Sequence, residues 1–335
     1  MATPPDPPCG AGGIVTRTRG RPRAWGVPVA IVLVVALVSA WLLRPHPAAT
    51  PSVVHVAAAG ALSCSPNDPG FARGRGTATA CGERRVSALV ASWKPDAFLG
   101  LGDYQYEEAR ADDYATVFDA SWGRVRSVTR PALGNQEFKV HDANTFRSYY
   151  GARAPADPGW YAYDLGPWRA IVLNSNCSMV RCDAASAQAR WLRQELATAG
   201  NRCVVTYWHH PRFSTGLHGS DDRLDALWRI VATRGKAIVV TGHEHDYERL
   251  TKVDANGNAN PAGIRSFVVG TGGQAVFGPN ETTGNAGQRR AQALSDVRID
   301  DRFGALRLAL RSRTYAWQFV ATDGQVLDSG SEACR

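Results

Sequence analysis

No two cysteines of this 335-residue chain stand at Cys-x-x-Cys spacing, so the pattern of a zinc ribbon or a thioredoxin-type redox site is missing. No run of arginines interleaves with aromatics either. The formal net charge of +8 looks basic, yet five arginines against Asp6 alone place +4 of it in the first 44 residues. The basic residues that remain are scattered, which argues against a nucleic-acid partner. No internal repeat is present, so the chain does not read as a repeat array.

What the sequence does contain begins with an apolar run. Arg17, Arg19, Arg21 and Arg23 precede Trp25 to Leu43, a stretch long enough to cross a bilayer. The arginines before it argue for a cytoplasmic N-terminus and export of the chain beyond Arg44. Val38-Ser39-Ala40 suits signal cleavage, while the long basic arm and the length of the run suit an uncleaved anchor. The expected division is a basic arm over 1–23, a transmembrane or signal segment over 24–44, a linker over 45–52 and a folded domain over 53–335. The location is then the cell membrane, single-pass with the C-terminal domain outside, or secretion if the segment is cleaved. Cys9 lies before the run, and the other cysteines, Cys64, Cys81, Cys177, Cys182, Cys203 and Cys334, would sit in an oxidising compartment. Cys177 with Cys182 closes a short loop, and Cys64 with Cys81 flanks the first crossover, so both pairs are disulfide candidates.

Within the domain, apolar β-branched runs alternate with helical spacing. Strands are expected at Val53 to Ala59, Ala97 to Leu101, Arg169 to Leu173, Cys203 to Tyr207, Lys236 to Val240 and Ser266 to Val269. Helical faces are formed by Val86, Leu89, Val90 and Trp93, by Ala185, Ala189, Leu192 and Leu196, and by Leu224, Leu227, Trp228 and Val231, with Ser220 as N-cap of the last. Toward the C-terminus Leu306, Leu308 and Leu310, then Tyr315, Trp317 and Phe319, alternate at period two before the turn Asp323-Gly324. The class is α/β.

Polar residues with metal-ligand chemistry stand just past the ends of these strands. Gly102-Asp103 with Tyr106, Gly134-Asn135-Gln136-Glu137, Trp208-His209-His210 and Gly242-His243-Glu244-His245 all lie where open α/β sheets form clefts. A carboxylate, an amide oxygen and imidazoles make an inventory for two neighbouring cations. His210, adjacent to His209 on extended backbone, is expected to point away and pack. His55, inside the first strand, reads as a core histidine. Asn174 and Asn176 either face the cleft or make the turn before Cys177.

The set Gly102-Asp103-x-x-Tyr106, Gly134-Asn135, His209 and Gly242-His243-x-His245 resembles the calcineurin-like metallophosphoesterases, and most closely the bacterial relatives of purple acid phosphatases. The resemblance runs from about Val53 to Ser331. It implies a four-layer αββα sandwich and hydrolysis of phosphate esters by a metal-bound hydroxide, with one or two divalent or trivalent ions (Fe, Zn or Mn). By position, Asp103 resembles the bridging ligand. Asn135, His209 and His243 resemble the shell of the second metal, and Tyr106 with His245 part of the first. His218 is similar to a histidine that contacts the substrate phosphate. The implied partner is a phosphorylated small molecule or other phosphoester.

Two positions depart from the family. Ala61 stands where an aspartate should ligate the first metal, and Gln136 stands where a histidine should act as acid. Gln136 can donate a hydrogen bond to a phosphoryl oxygen but cannot shuttle a proton. Asp68 and His141 are the nearest substitutes for the two losses, and Tyr106 has a plain strand-end aromatic as its alternative. Two functions are therefore open: a slow extracytoplasmic phosphoesterase, or a degenerate relative that binds one metal and an anionic ligand without turnover.

Overall fold

Residues 53–139, 143–278 and 286–334 are described in the computed structural model of the chain. The apolar run over 24–44 and His141 lie outside them. Among the described residues no helix is long and apolar enough to cross a membrane.

Two sheets carry the fold. The first comprises β1 (Val54–Ala59), β2 (Ala97–Gly100), β3 (Thr129–Pro131), β11 (Gly304–Leu310), β12 (Thr314–Ala321) and β13 (Val326–Ala333) in the order β13-β12-β11-β1-β2-β3. The second comprises β4 (Tyr161–Leu165), β5 (Trp168–Val172), β6 (Val204–Tyr207), β7 (Ala237–Thr241), β8 (Tyr247–Leu250), β9 (Arg265–Val269) and β10 (Ser295–Ile299) in the order β10-β8-β9-β7-β6-β5-β4. β1, β2 and β3 run parallel, as do β5, β6, β7 and β9. Alternation sorts each strand between layers. Val56, Ala58, Leu99, Val205, Tyr207, Ile238, Val240, Leu306, Leu308 and Phe319 fill the core between the sheets. Ala57, Ala59 and Phe98 face outward onto α1 (Glu83–Ser92) and α2 (Asn144–Tyr150), while Val204 and Val239 face α3 (Ala187–Thr198) and α4 (Asp225–Arg234). The layering is therefore helix, sheet, sheet, helix, as the resemblance implied.

Several local expectations change. His55 is exposed: Val54 and Val56 take the inward positions, so parity turns His55 out beside Arg307. Ser186 caps α3 by accepting from Ala189 N, which leaves Ala185 before the helix and exposed. Ser220 bonds Ser214, not the start of α4, where Asp221 caps a preceding 3₁₀ turn. β4, β8 and β10 are too polar for hydrophobic patterning to reveal. Charged pairs sustain them: Arg249 of β8, for example, bonds Asp296 and Asp328. The pairs Cys64–Cys81 and Cys177–Cys182 are bridged as expected, and Cys203–Cys334 adds a third bridge that spacing alone does not assign.

Candidate metal centre

At the C-terminal end of β2 the chain turns sharply, with Gly102 and Asp103 both at positive φ (86° and 55°). The glycine is required there because a Cβ would meet His209 Nδ1 at 2.6 Å. The Asp103 carboxylate is buried. Its Oδ1 accepts from Gln136 N at 2.9 Å and its Oδ2 accepts from Tyr106 Oη at 2.7 Å. Beneath it lies Glu137, also buried, whose two oxygens accept from the backbone N–H groups of Asp103 (3.0 Å), Tyr104 (2.9 Å) and Gly134 (2.7 Å). One carboxylate thus joins the loop carrying Asp103 to the loop carrying Asn135. Burial and the Asp103 charge push the Glu137 carboxyl up to about 7.

His209 and His243 arrive from the ends of β6 and β7. His209 Nδ1 lies 2.7 Å from Leu101 O, a pure acceptor, so Nδ1 carries the proton and Nε2 presents its lone pair. That nitrogen is 3.0 Å from Asn135 Oδ1, 3.1 Å from His243 Nδ1 and 3.3 Å from Asp103 Oδ2. Three donor atoms from three other strand ends thus lie within 3.3 Å of His209 Nε2, and their lone pairs suit a cation. Burial alone would raise the Asp103 carboxyl, but His209, His243 and the Gln136 N–H hold it far below the usual range. Burial holds His243 well below its ordinary value.

A second group forms beside it. Tyr106 Oη lies 3.2 Å from His245 Nε2 as well as against Asp103. His245 Nδ1 is buried without a partner, its ring lies flat on Phe277 (4.2 Å between centroids, 9° between planes), and burial holds its pKa down to about 3. These donors fit a second cation except where Ala61 offers only a methyl. Asp68 does not replace it, because its carboxylate caps its own turn at Gly70 N, 2.6 Å away.

The cleft, about 210 Å³, is lined by Asp103, Tyr106, Asn135, Gln136, His218, His243 and His245, together with Glu107, Gln274 and Phe277. All the site residues read from sequence are therefore brought together. His218 is held by Glu244, whose Oε2 accepts from His218 N at 3.0 Å and faces Nδ1 at 3.4 Å. Glu248 pins the same loop through Ser214 and Thr215. His210 does not point away: its ring packs 4.7 Å from His209 and 4.4 Å from His243, with Nδ1 2.9 Å from Ser175 Oγ. Asn174 and Asn176 make the turn, bonded to each other and to Pro158 and Leu133. Glu137, Glu244, Glu248 and Gln274 were not legible as site residues. The one available signal was the placing of Glu137 and Glu244 beside expected ligands.

No protein-family model matches the sequence. Among characterised proteins, it is 28% identical over 200 residues to purple acid phosphatase 22 of Arabidopsis thaliana, covering 53% of this chain and 44% of that protein. It is 24% identical over 226 residues to purple acid phosphatase 15 of the same plant, covering 56% and 42%. An uncharacterised Mycobacterium tuberculosis protein is 30% identical over 176 residues, 44% of this chain and 33% of its own. The chain thus spans less than half the length of the Arabidopsis proteins it matches. In structure, the yellow lupin (Lupinus luteus) purple acid phosphatase superposes with a TM-score of 0.64 at 20% identity, over 86% of this chain and 55% of that one. PhoD superposes with a TM-score of 0.54 at 13% identity, over 86% and 70%. These likenesses support the fold.

Proposed function

We propose that this chain, a calcineurin-like metallophosphoesterase, is an extracytoplasmic metal-dependent phosphoesterase that hydrolyses phosphate esters in the cleft at Asp103. The observation that carries the reading is the convergence of Asp103 Oδ2, Asn135 Oδ1 and His243 Nδ1 within 3.0–3.3 Å of His209 Nε2. Asp103, Asn135, His209 and His243 would hold one ion, and Asp103, Tyr106 and His245 would contribute to another. Bound ions supply a Lewis acid and an activated water. The chain's own groups do the rest. His218, fixed by Glu244, faces the cleft to contact the phosphoryl group, and its ring packs 4.6 Å from that of His243. The Gln136 amide donates to a phosphoryl oxygen and moves no proton, so esters with poor leaving groups turn over slowly, by about 10² to 10⁴ against a site with a positioned acid. Phe277 stacks on His245 and fixes its ring plane. Export is supported by the three disulfides, which persist in oxidising compartments, and by the basic arm and apolar run that precede the domain.

A second reading, binding of an anionic ligand without turnover, draws on Ala61 and Gln136. One experiment separates them. The full-length chain, loaded with zinc, manganese or iron, is assayed on an aryl phosphate. Turnover that disappears on chelation and in His243→Ala is expected. Phosphate binding with no turnover under any metal selects the second reading and overturns the first.

A further inference from the structure

We infer that Gln274 supplies the oxygen ligand that Ala61 cannot, so that the half-site of Tyr106 and His245 is completed from a different strand end. The inference rests on the metallophosphoesterase reading. Ala61 is fully buried with φ 51°, and its backbone is tied on both sides: Ala61 N donates to Gly102 O at 3.2 Å and Ala61 O accepts from Gln274 N at 2.9 Å. Gln274 therefore lies directly across from the residue that lacks a ligand atom. Its own backbone is fixed, since Gln274 O accepts from Cys81 N at 2.9 Å and the neighbouring Gly272 N donates to Gly60 O at 3.0 Å. The Cys64–Cys81 bridge staples this segment to the loop just after Ala61.

The side chain points to a ligand. Gln274 lines the cleft together with Asp103, Tyr106 and His245, and its Oε1 is buried with no hydrogen-bond partner. A buried carbonyl oxygen is disfavoured unless something answers it. A cation does so, as at Asn135, which presents the same amide oxygen to the other half-site. Gln136 also has an unpartnered Oε1, but its N–H is bonded to Asp103 Oδ1 at 2.9 Å and it follows Asn135 directly, which places it with the other half-site. An amide in place of a carboxylate removes one negative charge. The completed half-site therefore takes a divalent ion in preference to a trivalent one, and more weakly than the Asn135 half-site.

The test uses the full-length chain, stripped by chelation and titrated calorimetrically with Zn²⁺ alone, with bound zinc counted by elemental analysis. Two ions are expected, the second bound at least about tenfold more weakly. Gln274→Leu should abolish the weaker event and spare the tighter one. Gln274→Glu should tighten it by about tenfold or more, and Ala61→Asp in the Gln274→Leu background should restore it, which also shows that the variant folds. Retention of both events in Gln274→Leu, no tightening in Gln274→Glu, or a wild type that binds one zinc overturns the inference and leaves the phosphoesterase reading standing. A wild type that binds no zinc overturns the inference too, while the phosphoesterase reading falls only if the aryl phosphate assay shows no turnover with any metal.

Discussion

Glu137 offers the sharpest test of how the cleft is held. It is 1% exposed and accepts three backbone N–H bonds from two loops. Removing it in Glu137→Ala leaves those buried donors unanswered at about 1–3 kcal/mol each, a loss on the order of 2–6 kcal/mol even if an entering water satisfies one. That is a large share of the roughly 5–15 kcal/mol available to a folded domain, so this variant is expected to express poorly. Glu137→Gln is the measurable case. Oε2 serves two donors, Asp103 N and Gly134 N, while Oε1 serves Tyr104 N. A glutamine keeps one oxygen, so with it placed toward the pair of donors, the amide NH₂ meets the remaining N–H head-on. The expected cost is about 1–3 kcal/mol. Because the two loops position Asp103 and Asn135, zinc affinity should fall with stability. The assay is urea unfolding at pH 8, where the carboxyl is ionised, paired with zinc titration. Glu137→Gln within about 0.5 kcal/mol of wild type, with unchanged zinc affinity, refutes the clamp.

Gln136→His should restore a proton donor and raise turnover of alkyl phosphates, whose leaving groups need protonation, more than that of aryl phosphates; equal effects on both would count against the assignment. Glu83 gives a pH test away from the cleft. Its carboxyl is buried 3.9 Å from the Cys64 sulfur with Oε1 unpartnered, and burial pushes its pKa from 4.5 up to about 7. The folded state then keeps a proton that the unfolded chain releases, so stability falls as pH rises from 4.5 to about 7, by on the order of 3 kcal/mol. Glu83→Gln should gain on wild type across that window in unfolding experiments; a flat difference refutes it.

The sheets were legible where strands are buried on both faces. Ile238 to Val240 is apolar without interruption, and Val204 to Tyr207 is broken only by Thr206, because inter-sheet core lies on one side and helices on the other. β4, β8 and β10 were hidden for the opposite reason. β8 reads Tyr-Glu-Arg-Leu, and its charges are answered by partners distant in sequence: Glu248 by Ser214 and Thr215, Arg249 by Asp328. Periodicity cannot see a partner 79 residues away. His55 shows a related limit: its parity could be read, but not that its side of the strand is left exposed.

Asp103 and His243 were legible because each follows a buried strand and a glycine and sits in a turn at positive φ, and Asn135 and His209 because they stand just past strand ends. Glu137, Glu244 and Gln274 act across strands, and that is what sequence conceals. Ala61 makes the distinction concrete. The left-handed turn persists there at φ 51° although no ligand side chain remains, because its carbonyl still receives Gln274 N and its N–H still reaches Gly102 O. The backbone of the half-site is thus specified independently of the residue that would ligate from it. A ligand lost at one strand end leaves the cavity, Tyr106 and His245 in place, and any neighbouring oxygen held at the same cavity wall can take over its role.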